Sequence, residues 1–193
     1  MEKSIGEKVN IAVFISGRGS NLKSLIKNFK KKHSLIKIKL VISNDPKAKG
    51  LDYAKKSKIK SFIINFKKKN VSEKKLLKKL SINKINLICL AGFMKILSKS
   101  FINKFNKPIL NIHPSLLPKY KGLNTHKRVI KNKEKYSGAT VHLVSEKLDS
   151  GKIILQKKIN VSKNDNPETL EKKILKAEHV LYPKAIKKTL INL

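Results

Sequence analysis

The residues best suited to chemistry lie in two short stretches, Asn111-Ile112-His113-Pro114-Ser115-Leu116-Leu117-Pro118 and, further along, Leu148-Asp149-Ser150-Gly151. Asn111 and His113 are two apart at the end of an apolar run beginning at Ile109, so on an extended backbone both side chains leave the same face. Pro114 and Pro118 hold φ at about −65° and forbid a regular helix, which predicts a stiff turn at the carboxyl edge of a sheet. In open α/β sheets that edge is where ligands bind. An amide N–H beside an imidazolium suits a developing oxyanion, and a carboxylate such as Asp149 can hold the imidazolium and help move protons. No Ser or Cys stands in a nucleophile elbow, so the pattern favours direct acyl-type transfer to an incoming nucleophile. Taken singly, each residue also fits plain structure: a strand end, a backbone-bonded turn histidine, a surface turn.

These residues need a scaffold, and the hydrophobic pattern supplies one. Val9 to Ile15 is an apolar run of strand length, followed by Ser16-Gly17-Arg18-Gly19-Ser20-Asn21 and an amphipathic helix over about 21–31. Leu35 to Ser43 reads as a second strand closed by the turn Asn44-Asp45-Pro46. A helix over 47–57, a short strand from Lys60 to Ile64, and a helix carrying Leu76, Leu77 and Leu80 on one side follow. Asn86 to Ala91 reads as a buried parallel strand, and Ser98 to Phe105 as a short helix before the strand that carries Asn111. A helix is expected over 125–133. Ser137–Ser145, alternating Val141 and Leu143 against Thr140 and His142, and Ile153–Val161 should then form an antiparallel hairpin, because their link is short. Asn166 caps a last helix with Pro167 at its first position, running to about residue 190 with a kink expected near Pro183. The expected fold is α/β: a Rossmann-like three-layer arrangement with a mostly parallel central sheet and an antiparallel edge hairpin, in one domain over 1–193.

Further stretches have chemical potential. The loop at 16–21 between strand and helix exposes backbone N–H groups at the positive end of a helix dipole, which suits one phosphate monoester. It lacks the third glycine of a dinucleotide fingerprint and the Lys-Ser/Thr of a P-loop; a plain turn with Ser20 or Asn21 as helix cap is the alternative. Gly92-Phe93-Met94-Lys95-Ile96-Leu97 is an apolar loop able to wall a flat heteroaromatic ring, or simply to pack in the core.

Asn-x-His-Pro-Ser-Leu-Leu-Pro followed by Leu-Asp-x-Gly resembles the signature of folate-dependent formyltransferases. The continuation Lys119-Tyr120-Lys121-Gly122-Leu123-Asn124-Thr125-His126 is similar to the branch that formylates glycinamide ribonucleotide in purine biosynthesis. The resemblance runs from about Val9 to Pro183. It implies formyl transfer from 10-formyltetrahydrofolate, as co-substrate, to the glycinamide amine, with Asn111 and protonated His113 stabilising the oxyanion and Asp149 assisting proton transfer. It further implies that Gly19, Ser20 and Asn21 hold the ribonucleotide phosphate and that Glu178 lies near the glycinamide end. Met94, Lys95, Ile96 and Leu97, with Asn111, would contact the pterin, and Lys69 would meet the glutamate tail. Lys95 stands where arginine is common in the family, keeping the charge but losing a planar fork. The alternatives are a solvated charge run for Lys69 and a solvated helix face for Glu178. No metal is implied.

The formal net charge of +34 comes from 46 basic against 12 acidic residues, of which only Arg18 and Arg128 are arginine. The lysines are spread along almost every segment, whereas nucleic-acid binders concentrate charge on one face and add Arg or stacking aromatics. No specific nucleic-acid partner is therefore expected; the partners are the two small substrates, to a monomer or homodimer. The single cysteine, Cys89, lies in an apolar run and reads as a buried thiol. Residues 1–6 carry no signal-like apolar core and the longest apolar run falls far short of the roughly 20 residues of a membrane span, which predicts a cytoplasmic protein. The related tRNA formyltransferases and formylfolate hydrolases normally carry an added domain, for which this chain is expected to have no room. Of the remaining histidines, His33 is expected to be exposed, and His126, His142 and His179 to be structural.

Overall fold

The computed structural model describes residues 8–30 and 34–191, so His33 and the amino-terminal six residues lie outside the described residues. Seven strands form a sheet of order β3-β2-β1-β4-β5-β6-β7, parallel among the first four and antiparallel through β5, β6 and β7, with helices between them. This is the expected Rossmann-like α/β fold. The chain divides between Ile109 and Leu110 into two compact units.

The first unit is built on β1 (Val9–Ile15), α1 (Ser20–Phe29), β2 (Ile36–Ser43), α2 (Gly50–Lys56), β3 (Lys60–Ile63), α3 (Lys69–Ile82), β4 (Leu87–Leu90) and α4 (Lys99–Phe105). Ile11 through Ile15 are fully buried, as a strand with parallel neighbours on both sides and covered faces must be. The helices cover the sheet with apolar stripes at helical spacing: Leu22, Leu25 and Phe29 on α1, Leu76 and Leu80 on α3. The helix expected over 47–57 begins at Gly50, because Asp45 Oδ1 accepts the Lys47 N–H and Ser43 Oγ the Asp45 N–H, extending the turn. Glu73, one turn into α3, is buried and accepts the Ser98 N–H at 2.8 Å as well as the Ser98 hydroxyl. Ser98 in turn caps α4 by accepting the Phe101 N–H. A buried carboxylate with two donors therefore ties α3 to the end of the 92–97 loop.

The second unit takes up after the first residue of β5 (Ile109–His113) and contains α5 (Thr125–Lys131), β6 (Tyr136–Leu143), β7 (Ile153–Asn160) and α6 (Pro167–Ile191). The hairpin is antiparallel as expected, with a register shift between Val141 and His142. The expected alternation along β6 is absent: Ser137 to His142 are all buried. On one face α6 packs over the strand, and on the other Thr140 Oγ1 donates to Ser115 O and accepts from Leu117 N, so the Pro-Ser-Leu-Leu-Pro turn covers it. α5 stops at Lys131, with Lys133 at φ 49° ending the turn. α6 is capped by Asn166 and Thr169, each side chain accepting the other's N–H, and continues through the buried Pro183.

Candidate functional site

β5 presents Asn111 and His113 on one face, and the antiparallel register sets Asn111 opposite His142 and His113 opposite Thr140. The four side chains thus share a face of the pair, and Asp149 joins them from the β6–β7 connection. Asp149 Oδ2 is 3.5 Å from His113 Nδ1, and Oδ1 is 3.6 Å from His142 Nε2 and 3.5 Å from Asn111 Nδ2. The sequence-predicted Asn111, His113 and Asp149 are therefore together in the second unit. His142, expected to be structural, stands among them.

The connection can deliver the carboxylate because of two backbone features. Asp149 sits at φ 47°, in the left-handed region that Asp tolerates better than most residues. Gly151 packs on the end of β6 so tightly that a Cβ there would come within 1.8 Å of Leu143 O. The Gly122 N–H donates to Asp149 Oδ2 at 2.8 Å, bringing the loop after the proline-bounded turn into the same cluster.

Proton positions follow from the fixed acceptors. His113 Nε2 lies 2.8 Å from Tyr120 O, a carbonyl that can only accept, so Nε2 carries a proton and Nδ1 is the atom that gains or loses one. His142 Nδ1 faces Leu143 O at 2.9 Å in the same way, leaving Nε2 to accept from Asn111 Nδ2 at 3.2 Å. Asn111 thus spends one amide hydrogen on His142. The other makes only the long 3.5 Å contact with Asp149, so it is the one available to an incoming oxygen.

The electrostatics divide the pair. Burial pushes the His113 pKa down, and the opposing pull of Tyr120 O and Asp149 does not offset it; His142 and Arg128 push the same way as burial. The imidazole is accordingly neutral at rest at pH 7. Burial by itself would raise the Asp149 carboxyl, but His142 in its protonated form, the Gly122 N–H and His113 outweigh it and hold the group below the usual range, as the anion. A neutral base with a free Nδ1 beside a fixed carboxylate is equipped to take a proton and to stabilise the resulting cation. His126, on α5, has its pKa lowered by burial, with Glu171 opposing and His113 adding to the shift.

Glu178, on α6, is 6% exposed, so the alternative of a solvated helix face does not hold. In the first unit, Gly19 is the residue before α1 at φ 72°, and a Cβ there would lie 2.4 Å from Gly50 Cα. Neither Ser20 nor Asn21 caps the helix: Ser20 is its first residue and Asn21 is buried. The loop therefore leads straight into the amino terminus of α1, the positive end of the helix dipole. Met94, Lys95 and Ile96 are exposed, whereas Leu97 is buried. Their loop is held by Met94 N–H donating to Ser16 Oγ at 2.7 Å, and by Phe93 packing edge-on against Phe14 and Phe66. Lys69 is exposed at the first residue of α3.

The profile of the formyl transferase family matches residues 9–186. The chain is 42% identical over 183 residues to the trifunctional purine biosynthetic protein adenosine-3 of Bos taurus, aligning 93% of itself but spanning only 18% of that relative's length. It is 41% identical over 180 residues to phosphoribosylglycinamide formyltransferase of Haemophilus influenzae, covering 92% of this chain and 85% of the other. Its fold is similar to the crystal structure of phosphoribosylglycinamide formyltransferase from Anaplasma phagocytophilum, with TM-score 0.89 and 41% identity over 94% of this chain and 86% of that one. Similarity of this extent, over nearly the whole sequence, makes the chain a member of the formyl transferase family.

Proposed function

We propose that the protein transfers the formyl group of 10-formyltetrahydrofolate to the amine of 5-phosphoribosylglycinamide, giving formylglycinamide ribonucleotide and tetrahydrofolate in purine synthesis. The observation that carries the reading is the His113–Asp149–Asn111 cluster, a proton acceptor, its counter-charge and an amide donor within 3.5 Å of one another's partners. The neutral amine attacks the formyl carbon, and the carbonyl electrons move to oxygen. Asn111 Nδ2–H meets that oxyanion. The amine proton passes to His113 Nδ1, and Asp149 stabilises the imidazolium. The C–N10 bond then breaks as the imidazolium returns that proton, through water, to N10, which leaves His113 neutral and releases tetrahydrofolate. Binding the two substrates side by side supplies much of the acceleration.

In this reading Gly19, Ser20 and Asn21 hold the phosphate through first-turn N–H groups, and Glu178 receives the glycinamide end. The 94–97 loop contacts the pterin, with Leu97 contributing through its backbone because its side chain is buried, and Lys69 meets the glutamate tail. Residues 1–193 act as one catalytic domain, cytoplasmic, as monomer or homodimer, without a metal or a specific nucleic-acid partner. The test mixes pure protein, formylfolate and glycinamide ribonucleotide and follows loss of the donor. Turnover that requires the ribonucleotide supports the reading; donor loss independent of it would reassign the protein as a hydrolase.

A further inference from the structure

The carbonyl that fixes the His113 tautomer belongs to a residue under unusual restraint. Tyr120 lies at φ 58°, a region costing a non-glycine residue about 1–2 kcal/mol. Its carbonyl accepts from His113 Nε2 at 2.8 Å and also from Ser115 Oγ at 3.4 Å. Its side chain is tethered as well. The phenol donates to Glu134 Oε1 at 2.8 Å and accepts from Asn132 Nδ2 at 3.0 Å, and the ring lies under the Arg128 guanidinium at 5.2 Å. Glu134 is charged, held below the usual carboxylate range by the Tyr120 hydroxyl and by Lys119, whose Nζ is 3.0 Å away. Arg128 closes the turn by donating to Lys121 O at 2.6 Å.

We propose that Tyr120, anchored by Glu134, is a positioning residue for His113: the phenol–carboxylate bond holds a strained peptide so that its carbonyl keeps the imidazole protonated on Nε2 and leaves Nδ1 free. Glycine would adopt this φ without strain but would have no ring or hydroxyl to tether, so a tyrosine in the left-handed region has a physical use here. The proposal rests on the reading of His113 as proton acceptor. Other titratable or charged groups around the ring are Asp149 from the β6–β7 connection, His142 from β6, and Arg128 and His126 from α5; none of them holds Nε2.

The test uses the full-length enzyme and the variants Tyr120→Phe, Glu134→Ala, Glu134→Gln and the double variant Tyr120→Phe/Glu134→Ala. Ring ¹⁵N and ¹³C NMR titration, assigned by the signal missing in His113→Gln, reads the His113 tautomer and midpoint directly, and the pH profile of kcat is measured alongside. Losing a neutral-range hydrogen bond to the charged ring should lower the midpoint by about half to one unit, populate the Nδ1–H tautomer, and cut kcat about fivefold. Glu134→Gln keeps an acceptor for the phenol and should restore the wild-type tautomer. In its effect on His113 the double variant should be no worse than either single change, because both break the phenol–carboxylate bond. If Tyr120→Phe does not fold, Glu134→Ala carries the comparison. An unchanged His113 titration and tautomer in the folded variants overturns the positioning role. A titration that moves while the kcat profile does not would leave the positioning role standing and sink His113 as the catalytic proton acceptor.

Discussion

Replacing Asp149 with Asn removes one charge and almost no volume. The Asn Oδ1 still accepts the Gly122 N–H that Asp149 takes at 2.8 Å, so the β6–β7 connection should stay in place. What changes is the interaction with His113. At the 3.5 Å separation between Oδ2 and Nδ1, a unit pair in an effective dielectric of about 20 attracts by about 5 kcal/mol, a ceiling on what the carboxylate gives the imidazolium. Reorientation and residual water remove about half of this, leaving about 2.5–3 kcal/mol, or roughly a hundredfold in kcat. With its oxygen kept at the Oδ2 position by the Gly122 N–H, the amide still turns that oxygen toward His113 Nδ1 and its NH2 toward His142 and Asn111, so it can accept from the imidazolium but offers it no counter-charge. The assay is steady-state formyl transfer at saturating ribonucleotide, with folate affinity measured separately by calorimetry. Folate binding should stay within a few-fold of wild type, since the change leaves the 94–97 loop untouched. A kcat within threefold of wild type, in a variant that still folds and binds folate, would refute the assignment of Asp149 as the counter-charge.

Gly151→Ala forces a Cβ to within 1.8 Å of Leu143 O and should displace the whole connection, lowering stability by about 2–4 kcal/mol and kcat with it; a thermal unfolding midpoint unchanged from wild type would show that the loop has slack. Gly19→Val meets Gly50 Cα at φ 72°, so it should raise the ribonucleotide KM far more than the folate KM, and equal effects on the two would remove the phosphate from this loop. Both His113 and His126 have folded-state pKa values below 6.5, so the unfolded chain binds their protons more readily. Stability should therefore be flat above pH 6.5 and fall as pH drops toward the folded values, and His126→Gln should flatten part of that fall in denaturant titrations at pH 5 and pH 7.

Much of the scaffold was legible because β4 and all of β1 after Asn10 are apolar and the helices bury leucines three and four apart, patterns set by chain geometry and water alone. The cap of α6 was legible too, since Asn166 and Pro167 act on their immediate neighbours. β6 misled because alternation of Val141 and Leu143 with Thr140 and His142 signals one wet face, whereas the proline-bounded turn supplies the Thr140 hydroxyl with backbone partners and buries it. Glu178 was ambiguous for a related reason: a glutamate on a long helix ordinarily faces solvent, and only packing shows that this one does not. His142 was expected to be structural, but its bond to Asn111 was not legible, because that depends on which residue lies across the strand pair, and a one-residue change of register would have put it on the other face.

By itself the sequence determined which functional groups are present and, through the rigid period of two along β5, that Asn111 and His113 point the same way. Tertiary structure decided the rest: that Asp149 reaches them, that His142 orients Asn111, and that the Tyr120 carbonyl dictates which imidazole nitrogen is free. Local periodicity is a property of consecutive residues, but proton placement depends on distances between atoms far apart in the chain, which only the folded backbone sets.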